Sequence, residues 1–228
     1  MAFSAALLTV SAIRRQINQA DRLHENERQQ RHNASRAIMP LVLSEISDFC
    51  LKIATAVSDE IEARGFGEKT DWLAELAPDE SSKVLPSQQF LTTAIPALQS
   101  FIQSLTDQEN IRHIAELIGS LQILTSRYRS LNLYQVDAVI SLYGLLLDTA
   151  KVRMLAHSIF NYARFVDQSP FGLVGPTPHV NVWDKIHGEA HGLLFSRKNC
   201  DQFFLEISSR IKRYKEHDYT PWNARSVE

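Results

Sequence analysis

The first thirty-six residues constrain this chain most, because they cannot build a core of their own. Met1 to Ile13 carries no charge and leans apolar. Arg14 and Arg15 then open a stretch to Arg36 whose only apolar members are Ile17, Ala20, Leu23 and Ala34. A segment that polar must project, pair with something, or connect something. The apolar start does not have the form of a secretory signal, since its charges follow the apolar stretch rather than precede it. It is also shorter than the roughly 20 apolar residues needed to cross a bilayer. Two readings follow: the first turns of a long helix docked on a partner or in a membrane interface, or the end of a membrane span that begins upstream. In either membrane case Arg14 and Arg15 favour a cytoplasmic location for the rest of the chain.

The remainder is long enough to bury a sizeable core. With 44% hydrophobic and 22% charged residues it is ordinary for a globular protein. Net charge is -2, so no whole-chain field draws it to nucleic acid. Residues 14–36 and 197–215 lean basic and 45–80 lean acidic, which suits a dimer or an anionic surface. Cys50 and Cys200 provide no disulfide framework and fit a reducing compartment.

Gly and Pro are scarce and clustered, and the dominant apolar period is helical. Ile38, Val42, Ile46, Phe49, Ile53, Val57 and Ile61 step by three and four towards a stop at Gly65. Pro40 inside this stripe predicts a bend or break near Met39, giving one long bent rod or two helices. Residues 68–87 are read as a short helix and a surface loop. A helix carrying Phe90, Leu91, Ala94, Ile95, Leu98, Ile102 and Leu105 follows, with a bend expected at Pro96. Thr106 or Asp107 caps the next, whose face is Ile111, Ile114, Leu117, Ile118, Leu121 and Leu124. The most apolar helix, from Tyr134 to about Phe165 with Asn132 as its cap, is expected at the bundle centre through Val136, Ile140, Tyr143, Leu146, Leu147, Ala150 and Met154. Pro and Gly make 169–181 a loop. A short helix over 183–195 and an amphipathic one over 199–216, using Phe203, Phe204, Ile207 and Ile211, complete the pattern.

Three constellations carry chemistry-bearing side chains. His187 and His191 stand at i and i+4, the spacing of two zinc ligands on one helix face, with Cys200 a third ligand in principle. The string His187-Gly188-Glu189-Ala190-His191 superficially resembles the zincin signature. It departs in placing Glu189 two residues from each histidine, about 200° round the helix, where it could not serve as the base. Arg153, His157, Asn161 and Arg164 form a polar stripe along one face of the central helix. That stripe is read as a solvated face, a salt-bridge network or an anion-binding groove; buried, it would need acidic partners. Arg210 and His217 share the spacing Arg-x6-His.

That last pair resembles the spacing used by the HEPN family of helical ribonucleases, and the resemblance covers these two residues alone. It implies action of Arg and His on an RNA phosphate at a dimer interface; Ile211 stands where that family usually has a polar residue. Phosphate-loop, dinucleotide-turn, nucleophile-elbow and Cys-x-x-Cys patterns are absent from the sequence, and no cofactor motif is found. Cys50 reads as a small buried hydrophobe, and Trp183, Phe195, Phe203 and Phe204 as core or interface anchors.

The expected architecture is all-α: a bundle of about five helices with a long N-terminal helix projecting from it. Residues 1–36 form the apolar start and projecting helix, 37–216 the bundle domain and 217–228 a polar tail. The leading functional expectation is a non-enzymatic interaction or scaffold protein acting through self-association or a protein partner. In it Ile13, Ile17, Ala20 and Leu23 make a seam too short for a sustained coiled coil. The rival is a cytoplasmic module tethered to the inner face of a membrane by residues 1–13. A metal-dependent or HEPN-like hydrolase is the third.

Overall fold

The computed structural model describes residues 2–63, 89–131, 138–167 and 179–216. Six helices account for nearly all of these: α1 Ala2–Ala63, α2 Gln89–Ser104, α3 Gln108–Ser130, α4 Ala138–Ala163, α5 His179–Leu194 and α6 Cys200–Glu216. The fold is an all-α bundle with a long N-terminal helix. The expected stop at Gly65, the reading of 68–87, the cap at Asn132 and the tail from His217 lie outside the described residues.

α4 occupies the middle, packed against α1, α3 and α5; α2 lies between α1 and α3, and α6 lies on α5. The apolar periodicity explains this order. Met39, Leu43, Ile46, Ile53, Val57 and Ile61 of α1 are buried, as are Leu142, Leu146, Val152, Leu155 and Ile159 of α4. Burying one such side chain is worth about 1.5–3 kcal/mol, so the C-terminal half of α1 is firmly held. Two expected core positions turn outward: Ile38 and Ile140 are each 56% exposed. On α1 the buried stripe begins one residue later, at Met39, and continues through Leu43, Ile46 and Cys50.

The choice left open at Pro40 resolves to one helix: α1 runs 62 residues and passes through the proline without interruption. Pro40 removes one helical N–H bond. Buried Met39 and Leu43 on either side anchor the chain enough to carry that loss, and the Ser44 hydroxyl donates to the Pro40 carbonyl at 2.8 Å. Pro96 is likewise inside α2. The α3 cap is Asp107, whose carboxylate accepts from the Asn110 N–H at 3.1 Å. α5 starts at His179, four residues before the expected Trp183, and so takes in the end of the expected loop.

α4 ends in a Schellman turn. The Phe165 N–H donates to the Tyr162 carbonyl and the Val166 N–H to the Asn161 carbonyl, at 2.9 and 3.0 Å. The left-handed position of this turn holds Phe165, with φ of 61°, where glycine is usual.

Candidate functional site

From Ile13 to Arg31 every residue of α1 is exposed. Ile13, Ile17 and Leu23 are 49%, 54% and 56% exposed, on a helix turn pattern with Ala20 between them. Exposed ion pairs within the helix join Glu25 to Arg28 and Glu27 to Arg31. The rise of about 1.5 Å per residue places Ala2 about 45 Å along the axis from His32.

His32 is where the bundle first takes hold. Its Nδ1 lies 3.0 Å from Ser104 Oγ and its Nε2 2.6 Å from the Tyr162 hydroxyl. Ser104 spends its proton on the Phe101 carbonyl at 2.7 Å, so its oxygen accepts from His32 Nδ1–H. In the neutral ring Nε2 then accepts from Tyr162 O–H. Burial, with Arg36 and Arg28 adding to it, pushes the His32 pKa below its ordinary value, which favours this neutral form. One turn on, Arg36 donates to the carbonyls of Tyr162 (2.7 Å) and Asp167 (2.6 Å). Its guanidinium also lies over the Tyr162 and Phe165 rings, at 3.8 and 4.1 Å from their centroids. The pocket at this junction, about 410 Å³, is lined by Arg28, His32, Arg36, Thr106, Asn110 and Tyr162, among others.

The polar stripe of α4 divides in two. Arg153 and His157 turn towards α5 and share Glu189: His157 Nδ1 is 2.9 Å from Oε1 and Arg153 Nε 3.6 Å from Oε2. Arg153 Nη1 is buried without a hydrogen-bond partner, against Gly192, where a Cβ would sit 3.4 Å away. Buried Cys50 is near enough to feel this pair. Burial pushes its thiol up to about 12, Arg153 works against that and Glu189 adds to it, so the sulfur stays protonated. Asn161 and Arg164 are exposed; Asn161 accepts the turn bonds at the end of α4, and Arg164 lies over the Phe160 ring at 4.9 Å. A groove of about 370 Å³ between α1 and α4 runs past Ser44, Ser47, Asp48, His157, Phe160 and Arg164.

His187 and His191 both face Phe204 of α6. His191 stacks on it at 4.2 Å, and His187 meets it edge-on while Nε2 lies 2.9 Å from Ser208 Oγ. Cys200 Sγ is 3.8 Å from the carboxylate of its neighbour Asp201. Among the described residues no group of three or more His, Cys, Asp or Glu is placed to hold a metal ion. Arg210 pairs with Glu206 at 2.8 Å and lies over the Tyr143 ring at 4.7 Å; its sequence partner His217 is outside the described residues.

Sequence reasoning passed over the junction and the acid that organises the stripe. Arg28, His32 and Arg36 at i, i+4 and i+8 stand on one helix face, a signal that was available. In the sequence Glu189 stands between His187 and His191, whereas in the fold its carboxylate serves His157 and Arg153 of α4. Among the described residues no helix is long and apolar enough to cross a membrane. No family model, curated protein or solved structure matches this chain.

Proposed function

We propose that this chain is a non-enzymatic helical interaction protein: a bundle that carries the free half of α1 as a contact arm for a second copy or a protein partner. The full exposure of residues 13–31 carries this reading. A helix derives most of its stability from packing an apolar face, and an arm of this length standing alone in water is marginal. Ile13, Ile17, Ala20 and Leu23 supply a short exposed face on this arm, which suits covering by a second copy or a partner.

Light scattering across a concentration series tests it, comparing the full chain with Ile17→Asp and with a form lacking residues 1–30. Self-association requires a mass that rises with concentration in the full chain and falls to the monomer in both variants. A monomer throughout leaves partner binding, to be read by crosslinking in lysate that depends on Ile17. Independence from Ile17 in both measurements removes the arm as the contact.

A membrane surface is the second reading, favoured by the uncharged run to Ile13 followed by exposed Arg14 and Arg15. Flotation with anionic vesicles that is lost when residues 1–15 are removed supports it; no flotation of the full chain rejects it.

A further inference from the structure

We propose that the pocket at the base of the α1 arm is a binding site for a phosphate group, held by Arg28 and Arg36 from α1 and by Thr106 and Asn110 from the start of α3.

The charge arrangement carries the argument. Arg36 is partly buried, and its partners are two backbone carbonyls and two aromatic rings, none of them anionic. A guanidinium withdrawn from water normally sits against a carboxylate or phosphate. Its positive charge is felt by His32, as is that of Arg28 two turns away. Three acidic residues stand at the pocket: Asp107 lines it, Asp167 gives its backbone carbonyl to Arg36, and Glu25 is reached through Arg28. Glu25 pairs with Arg28 at 2.6 Å, but both side chains are about half exposed, and such a pair exchanges easily for a stronger partner. Asp107 is committed to the Asn110 N–H as the cap of α3. The volume, about 410 Å³, falls in the range of small-ligand sites and is ample for a phosphate monoester. Thr106 and Asn110 also line the pocket, and their side chains carry neutral donors. Arg is suited to this task because its planar fork matches two phosphate oxygens at once.

Binding here acts on His32. A bound dianion offsets both guanidiniums that disfavour the imidazolium, so the ring becomes easier to protonate. The other titratable groups facing it are Tyr162 from α4 and Asp107 ahead of α3, with Glu25 reached through Arg28. The site does not depend on what the free half of α1 touches, because every residue in it lies at or beyond Arg28.

The test uses the intact chain and inorganic phosphate, read by NMR of the histidine ring signals against sodium chloride at matched ionic strength. The expected result is saturable binding, an upward move of the His32 titration midpoint, and about tenfold weaker binding in Arg28→Gln, since one charge-assisted pair is lost. Arg28 is exposed, so this variant folds even if Arg36→Lys, which alters the packing on Tyr162, does not. A flotation arm with phosphatidic acid vesicles identifies the source of the group. Binding to vesicles but not to free phosphate, weakened by Arg28→Gln, assigns it to a lipid headgroup. No saturable response to either probe, an equal response to chloride, or responses undiminished in Arg28→Gln overturn the proposal.

Discussion

The guanidinium of Arg36 lies 4.1 Å from the centre of the Phe165 ring, although Phe165 occupies the left-handed position that ends α4. A residue with a Cβ loses about 1 kcal/mol there relative to glycine. The ring over Arg36 recovers a similar amount, about 0.5–1 kcal/mol for an exposed cation–π contact. The contact explains why an aromatic is tolerated where glycine is the usual choice.

These terms predict an order that side-chain size alone reverses. Phe165→Ala keeps the strained backbone and loses the ring, so it destabilises by about 1 kcal/mol. Phe165→Gly loses the ring and relieves the backbone, and stays within about 0.5 kcal/mol of the parent. Urea unfolding of the two variants compares them. Equal midpoints would mean that the turn carries no strain.

Deleting residues 1–30 is expected to leave the bundle intact. From Ile13 onward the first buried side chain of α1 is Met39, and His32 makes hydrogen bonds to α2 and α4. The denaturant midpoint at low protein concentration should shift by less than about 0.5 kcal/mol, as for surface changes generally. A larger loss would mean that the arm stabilises the bundle from a distance.

His113 makes the fold sensitive to mild acid. It is packed between α3 and α4, with Nε2 2.8 Å from Ser158 Oγ, and burial lowers its pKa from 6.5 to about 4. Between these values the unfolded chain holds a proton that the folded chain refuses, so stability falls as the pH drops from 6.5 to about 4 and is unaffected by this group above 6.5. The full effect is at most about 3 kcal/mol. Glu116 and Asp148, whose pKa values burial raises, take up protons on folding and oppose it in the carboxylate range. His113→Gln, which still reaches Ser158, should flatten the pH dependence of the unfolding midpoint over this window. An unchanged slope would place the acid sensitivity elsewhere.

Periodicity located the bundle helices because a buried stripe repeats along a helix whatever it packs against. Leu117, Leu121, Ile207 and Ile211 could be placed inward from spacing alone, and all four are buried. Ile38 and Ile140 could not be told from core, since an apolar residue at the stripe's edge differs from one inside it only by rotation of the helix. The polar junction was less legible for a different reason. His32 meets Tyr162 across 130 residues of sequence, and Arg36 recognises backbone carbonyls, which carry no side-chain signature. The stripe of α4 was visible as a row, but its acid, Glu189, belongs to another helix, and one sequence does not say which helices become neighbours.

The Arg153–Glu189–His157 cluster should therefore behave as one unit rather than as a solvated face. Glu189→Ala removes the shared acceptor and leaves Arg153, already with an unpartnered buried Nη1, without its counter-charge. The expected loss is about 2 kcal/mol, below the 3–5 kcal/mol of a fully buried pair because the cluster is partly open to water. Replacing both ends, Arg153→Met with Glu189→Leu, removes the need for an acceptor and fills similar volume, so the double variant should recover most of that loss. The coupling read from the unfolding curves of the parent, Arg153→Met, Glu189→Leu and the double variant then exceeds about 1 kcal/mol. Additive single effects would show instead that Arg153 reaches water without Glu189, and the stripe would then be a solvated face after all.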